Sequence, residues 1–207
     1  WNQAPDVTAN GVDVLAQYLG ATKVFVGDDF LWQGGTDPIK KITIYGSGLN
    51  DLIVPATFTL SINADNPVGT GGVSWSRPGA AIWSATLAPS AYAITPTAAQ
   101  TFWDPVTKTA LGTDRQQIKL DFNVNVAGLV QGKTYWLLAQ ATPLEPAAMF
   151  GWTSRGDGQA KDAAVYAVNA TVGSPRAVFK VLEYPGRSSP MDLAFSLEVP
   201  EPGTALL

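Results

Sequence analysis

Ile118-Lys119-Leu120-Asp121-Phe122-Asn123-Val124-Asn125-Val126 alternates apolar and polar side chains without a break. Successive side chains of a β-strand point to opposite faces. Ile118, Leu120, Phe122, Val124 and Val126 therefore share one face, and Lys119, Asp121, Asn123 and Asn125 share the other. The stretch predicts a strand with one side on a core and one side in water, the pattern of antiparallel sheets. Beyond it, residues 128–132 form a turn into residues 134–142, which are apolar on both faces and predict a central strand. Before it, residues 88–115 hold Pro89, Pro96 and Pro105 among many Ala and Thr and read as connections.

The same signals recur along the chain. Residues 57–62 set Phe58, Leu60 and Ile62 against Thr57, Thr59 and Ser61. Residues 23–26, 39–45, 80–87, 163–168 and 177–184 predict further strands, and residues 192–199 close the series. In that last strand Leu193, Phe195, Leu197 and Val199 oppose Asp192, Ala194, Ser196 and Glu198. Residues 1–20 read as an N-terminal extended segment and 143–163 as a loop. The expectation is an all-β chain of about nine or ten strands, forming a single jelly-roll-like β-sandwich over residues 1–199.

Composition narrows the chemistry. Of 207 residues, 46% are apolar and 14% charged, with 20 Gly and 15 Pro, which suits a turn-rich β protein. A net charge of −4 leaves no basic footprint for nucleic acid. Cysteine and histidine are both absent, which excludes disulfides, thiolate nucleophiles, Ser-His-Asp triads and histidine metal centres built from this chain alone. No run approaches the roughly 20 apolar residues of a membrane-spanning helix, so the mature form is expected to work without a membrane.

Several separated motifs carry a family likeness. They are Trp1-Asn2-Gln3-Ala4-Pro5-Asp6, Asp28-Asp29-Phe30, and residues 38–51 with their Gly46-Ser47-Gly48-Leu49-Asn50-Asp51 ending. Ser76-Arg77-Pro78-Gly79 before Trp83, Gly132-Lys133-Thr134-Tyr135-Trp136-Leu137, Phe150-Gly151-Trp152, Asp162-Ala163-Ala164-Val165 and residues 182–195 follow. In that order they resemble a secreted bacterial β-rich domain family of unassigned function that is associated with PEP-CTERM proteins. Val199-Pro200-Glu201-Pro202-Gly203-Thr204 resembles the sorting motif of those proteins. The resemblance implies an exosortase as a partner during sorting, a tail remnant over residues 200–207, and a secreted, extracellular or cell-surface location. It implies no reaction and no catalytic residue.

Candidate sites are few. Paired carboxylates would serve a glycosidase without histidine, but no spacing marks an acid–base pair, and Asp28, Asp29, Asp51 and Asp192 read as turn-forming or capping groups. Asp157 and Asp162 flank one loop and offer hard oxygen ligands for calcium, without the alternate spacing of a calcium loop. The main expectation is that no cofactor or metal is used. Among seven tryptophans, Trp83 and Trp136 lie in predicted strands and are assigned to the core. Trp75, Trp103 and Trp152 stand beside Gly or Pro turns and are the candidates for an exposed carbohydrate or subunit contact. The leading expectation is a non-enzymatic secreted or surface subunit that assembles with copies of itself, as an oligomer or a filament, through packed terminal segments. The alternative is a module that binds extracellular polysaccharide through turn-borne tryptophans.

Overall fold

The computed structural model describes residues 1–19, 22–52, 56–145, 147–156, 162–169 and 177–200. These form β1 (Asn2–Gln3), β2 (Val12–Leu15), β3 (Tyr18–Leu19), β4 (Thr22–Leu31), β5 (Ile39–Gly48), β6 (Ala56–Asn66) and β7 (Arg77–Leu87). They continue with β8 (Ala91–Asp104), β9 (Thr109–Val126), β10 (Thr134–Pro143), β11 (Phe150–Thr153), β12 (Val165–Val168), β13 (Lys180–Val181) and β14 (Phe195–Glu198). Two short 3-10 turns, Leu49–Asp51 and Thr70–Gly72, are the only helical pieces among the described residues.

The strands make two packed sheets. One runs β1-β14-β5-β11-β2-β8-β9; the other runs β13-β12-β4-β10-β6-β7, with β3 hydrogen-bonded to β4. The inner faces meet in one cluster that takes Ile118, Leu120 and Phe122 from β9, Phe58, Leu60 and Ile62 from β6, and Phe195 and Leu197 from β14. Phe58 stands edge-on to both Phe122 and Phe150, with ring centroids 5.2 and 5.0 Å away. This is the all-β sandwich that the alternating runs require. Strand β10 is buried on both faces, as its sequence predicts. Tyr135, Leu137, Ala139 and Ala141 enter the main core, while Leu138 packs outward with Phe25 and Ala167 beneath Phe179.

The described residues hold fourteen strands rather than nine or ten. Residues 88–115 are not connections: they hold β8 and the start of β9, which together form the longest hairpin. Its sequence conceals it because β8 is an edge strand between Ala91 and Pro96, pairing there with β9 alone. Small and polar residues suffice at such an edge, and proline is tolerated. The ladder breaks between Pro96 and Gln100, and the bent strand then runs parallel to β2, pairing Val12 with Thr101 and Val14 with Trp103. Because β9 also pairs with β5, the circuit β5–β11–β2–β8–β9 closes on itself.

Three more expectations change. The loop at 143–163 contains β11, and the strand expected at 177–184 is reduced to Lys180–Val181. The N-terminal segment is held by its own chain: Asn2 and Gln3 pair with Ser196 and Phe195, and the Trp1 ammonium donates to the Leu197 carbonyl at 3.1 Å. This strand is the outermost of its sheet, and its other edge has no partner among the described strands.

Candidate functional site

The tip of the β8–β9 hairpin is fixed locally. Asp104 accepts the Val106 amide on Oδ1 and the Thr107 hydroxyl on Oδ2, both at 2.8 Å, an Asx turn that leaves Lys108 in the left-handed region (φ 56). A second turn faces it. Tyr184-Pro185-Gly186-Arg187 closes with the Arg187 amide on the Tyr184 carbonyl at 3.0 Å, and Gly186 supplies the positive φ of 68°. Between these turns lies an open groove of about 730 Å³.

Its lining combines aromatic surface with charge. Trp75, Trp103, Tyr166, Phe179 and Tyr184 contribute rings, and Lys108, Lys180, Arg187 and Glu183 contribute charge. Trp75 and Trp103 are half-buried, so each keeps part of its indole in solvent, while Lys108, Lys180 and Arg187 are exposed. The Lys180 ammonium lies 6.0 Å from the centre of the Tyr166 ring. Burial, and then the charges of Asp104 and Glu183, raise the Tyr166 phenol. Burial raises that of Tyr184 as well. Both hydroxyls therefore stay protonated as donors near neutral pH. A smaller pocket of about 140 Å³, lined by Asn10, Gly11 and Thr101, shares Tyr184 and Arg187 with the groove and lengthens it.

Two of the three candidate tryptophans thus meet in one groove. Trp152 does not: it is fully buried, and its indole N–H donates to the Ala194 carbonyl at 2.7 Å. The glycine beside it marks close strand approach rather than a turn. A Cβ on Gly151 would stand 2.8 Å from the Phe102 ring and 2.9 Å from Asp13 Cβ, closer than side-chain carbons pack. Trp136 is in the core as assigned, with its N–H on Asp65 at 2.8 Å, whereas Trp83 on edge strand β7 is only half-buried. Sequence reasoning missed Tyr166, Tyr184, Lys108, Lys180 and Arg187. The Pro185-Gly186 turn flanked by Tyr184 and Arg187 was the available signal.

The aspartates gather elsewhere, in two buried groups. Asp13 of β2 and Asp114 of β9 face each other inside the closed circuit, with the Thr153 hydroxyl donating to Asp13 and Ser47 adjoining both. Asp13 Oδ2 and both Asp114 oxygens lack another hydrogen-bond donor, and a proton shared between the two carboxyls would serve Asp13 Oδ2 and one of the Asp114 oxygens. Burial first, and then the Asp114 charge, push Asp13 well above the usual carboxylate range; burial raises Asp114 to about 6. In the second group Asp28 accepts the amides of Asp29 and Leu193 at 2.9 and 2.8 Å, and Arg155 lies 3.7 Å from Asp192. Burial, reinforced by Asp192 and Asp29, raises Asp28 despite those amides.

Asp162 accepts the Ser76 hydroxyl at 2.9 Å and donates its amide to Asp29 at 3.1 Å, while Asp157 lies outside the described residues. No group of three or more metal-ligating side chains occurs among the described residues. Val199 is exposed beyond β14 and Pro200 follows it; Glu201, Pro202, Gly203 and Thr204 lie outside the described residues.

The fold and groove define an all-β sandwich with an aromatic, cation-bearing groove at one end. The chain belongs to the family described as domain of unknown function DUF7901, whose model matches residues 1–198. No curated protein and no solved structure matches it.

Proposed function

We propose that this domain is a non-enzymatic carbohydrate-binding module acting on extracellular polysaccharide, exported by way of its PEP-CTERM-like tail. One observation carries the reading: Trp75 and Trp103, far apart in the chain, line the same open groove. Indole faces offer flat apolar surface to the C–H face of a pyranose ring, and the tyrosine hydroxyls and charged groups around them supply the hydrogen bonds that sugars demand. The groove has one carboxylate in its lining, Glu183, and the Asp13–Asp114 pair is sealed from solvent. Two carboxylates roughly 5–9 Å apart across a cleft, the arrangement of glycoside hydrolysis, are not among the groove's described lining residues. Calorimetric titration with soluble oligosaccharides tests the reading: saturable binding that Trp75→Ala weakens supports it, and no heat with neutral or acidic chains sinks it.

Self-assembly is the second reading, and β7 favours it. One edge of β7 pairs with β6 and the other has no partner among the described strands. Residues 78–103 contain no charged side chain, although natural sheet edges usually carry charge that blocks further pairing. A second copy could add along this edge. Sedimentation at rising concentration tests it: dimers or larger species that Ser84→Lys removes support it, and a monomer throughout counts against it.

A further inference from the structure

We propose that the groove selects acid-bearing glycans, such as uronate-containing or sulfated chains, over neutral ones; this rests on the carbohydrate-binding reading above. The chain as a whole is acidic, with a net charge of −4 and only 13 Lys and Arg residues, yet three of these line the groove against the single carboxylate Glu183. None of the three takes part in an ion pair among the described residues, where the ion pairs are Lys41–Glu198, Lys119–Asp121 and Arg155–Asp192. Asp104, whose charge reaches Tyr166 in the groove, is engaged by the Val106 amide and the Thr107 hydroxyl of its own turn.

Their placement suits a chain ligand. Lys108 comes from the hairpin tip, Lys180 from β13 and Arg187 from the Pro-Gly turn, so the cations arise from three separate segments around the aromatic surface. Arg187 also borders the adjoining small pocket, where its guanidinium can hold a carboxylate or sulfate in a bidentate contact. Sugar faces would stack on Trp75 and Trp103 while acidic substituents meet the three cations. A neutral chain lacks the second of these contacts.

The test is calorimetric titration of the intact protein with neutral, uronate and sulfated oligosaccharides of equal length. It is repeated on Lys108→Gly/Arg187→Ala, where glycine suits the left-handed backbone at position 108. The acid-bearing chains should bind at least about tenfold more tightly than the neutral one at low salt. Raising salt to about 0.5 M should erase most of that advantage, because exposed charges are screened beyond a few ångströms. The double variant should weaken binding of the acid-bearing chains at least about tenfold more than binding of the neutral chain, with an unchanged melting temperature. A larger gain for uronate than for sulfate, or the reverse, identifies which acid the groove takes. Equal affinity for neutral and acidic chains overturns the charge selectivity and leaves carbohydrate binding standing. No binding by any chain overturns both.

Discussion

The β8–β9 hairpin serves two regions of opposite character. At its tip, from Trp103 to Lys108, it walls an open groove in which cations stand exposed beside half-buried rings. A few residues further on, Asp114 turns inward to meet Asp13, with both carboxyls sealed in the closed circuit of strands. Strongly shifted carboxyls in a cleft usually mark catalytic sites. Here the shift and the cleft are in different places, so the shifted carboxyls report on how the fold is held, and the groove carries the accessible chemistry. The buried groups should therefore govern stability and the groove residues ligand binding, with little crossover.

The largest effect is expected at Asp28. Asp28→Ala would strand the buried amides of Asp29 and Leu193, at a cost of about 2–5 kcal/mol that urea denaturation would measure. A loss below about 1 kcal/mol would mean that the buried carboxyls do not hold the strands together. The pH dependence is next. Asp13 and Asp114 are raised in the folded state, Asp114 from 3.8 to about 6. Between these values the native state binds more protons than the unfolded chain, so stability falls as pH rises. The contribution is full below the unfolded carboxylate range and is lost as pH climbs through the folded value. The urea midpoint should be higher at pH 5 than at pH 8, and Asp114→Asn should flatten that slope. On the other side of the comparison, Lys180→Ala should change stability by no more than about 0.5 kcal/mol, since it removes an exposed side chain. A larger loss would show that the groove is also a structural element.

How much of this was legible depends on what each residue had to do. Strands β6, β9, β10 and β14 could be read because one or both faces bury large apolar side chains at period two. Strand β8 could not, because its first half lies at a sheet edge where Ala91, Ala93 and Thr95 meet no core and Pro96 imitates a loop. Strand β11 was hidden by Gly151, which reads as a turn and is in fact a point of close backbone approach. The same confusion placed Trp152 at the surface. Trp75 and Trp103 were legible as candidates, but nothing in the sequence could show that they meet. That requires the bent hairpin and the 184–187 turn, which are set by long-range pairing. The Asp13–Asp114 contact was invisible for the same reason: 101 residues of chain separate the two, and β2 was too short to announce itself.

The most direct measurement compares the wild-type domain with Trp75→Ala and Trp103→Ala in calorimetric titrations with a uronate oligosaccharide. If the groove is the binding site, the wild type should bind saturably and each variant should lose at least about fivefold in affinity, because a stacked indole contributes upwards of about 1 kcal/mol. Wild-type affinity retained in both variants, or no binding by the wild type to any oligosaccharide, would contradict it.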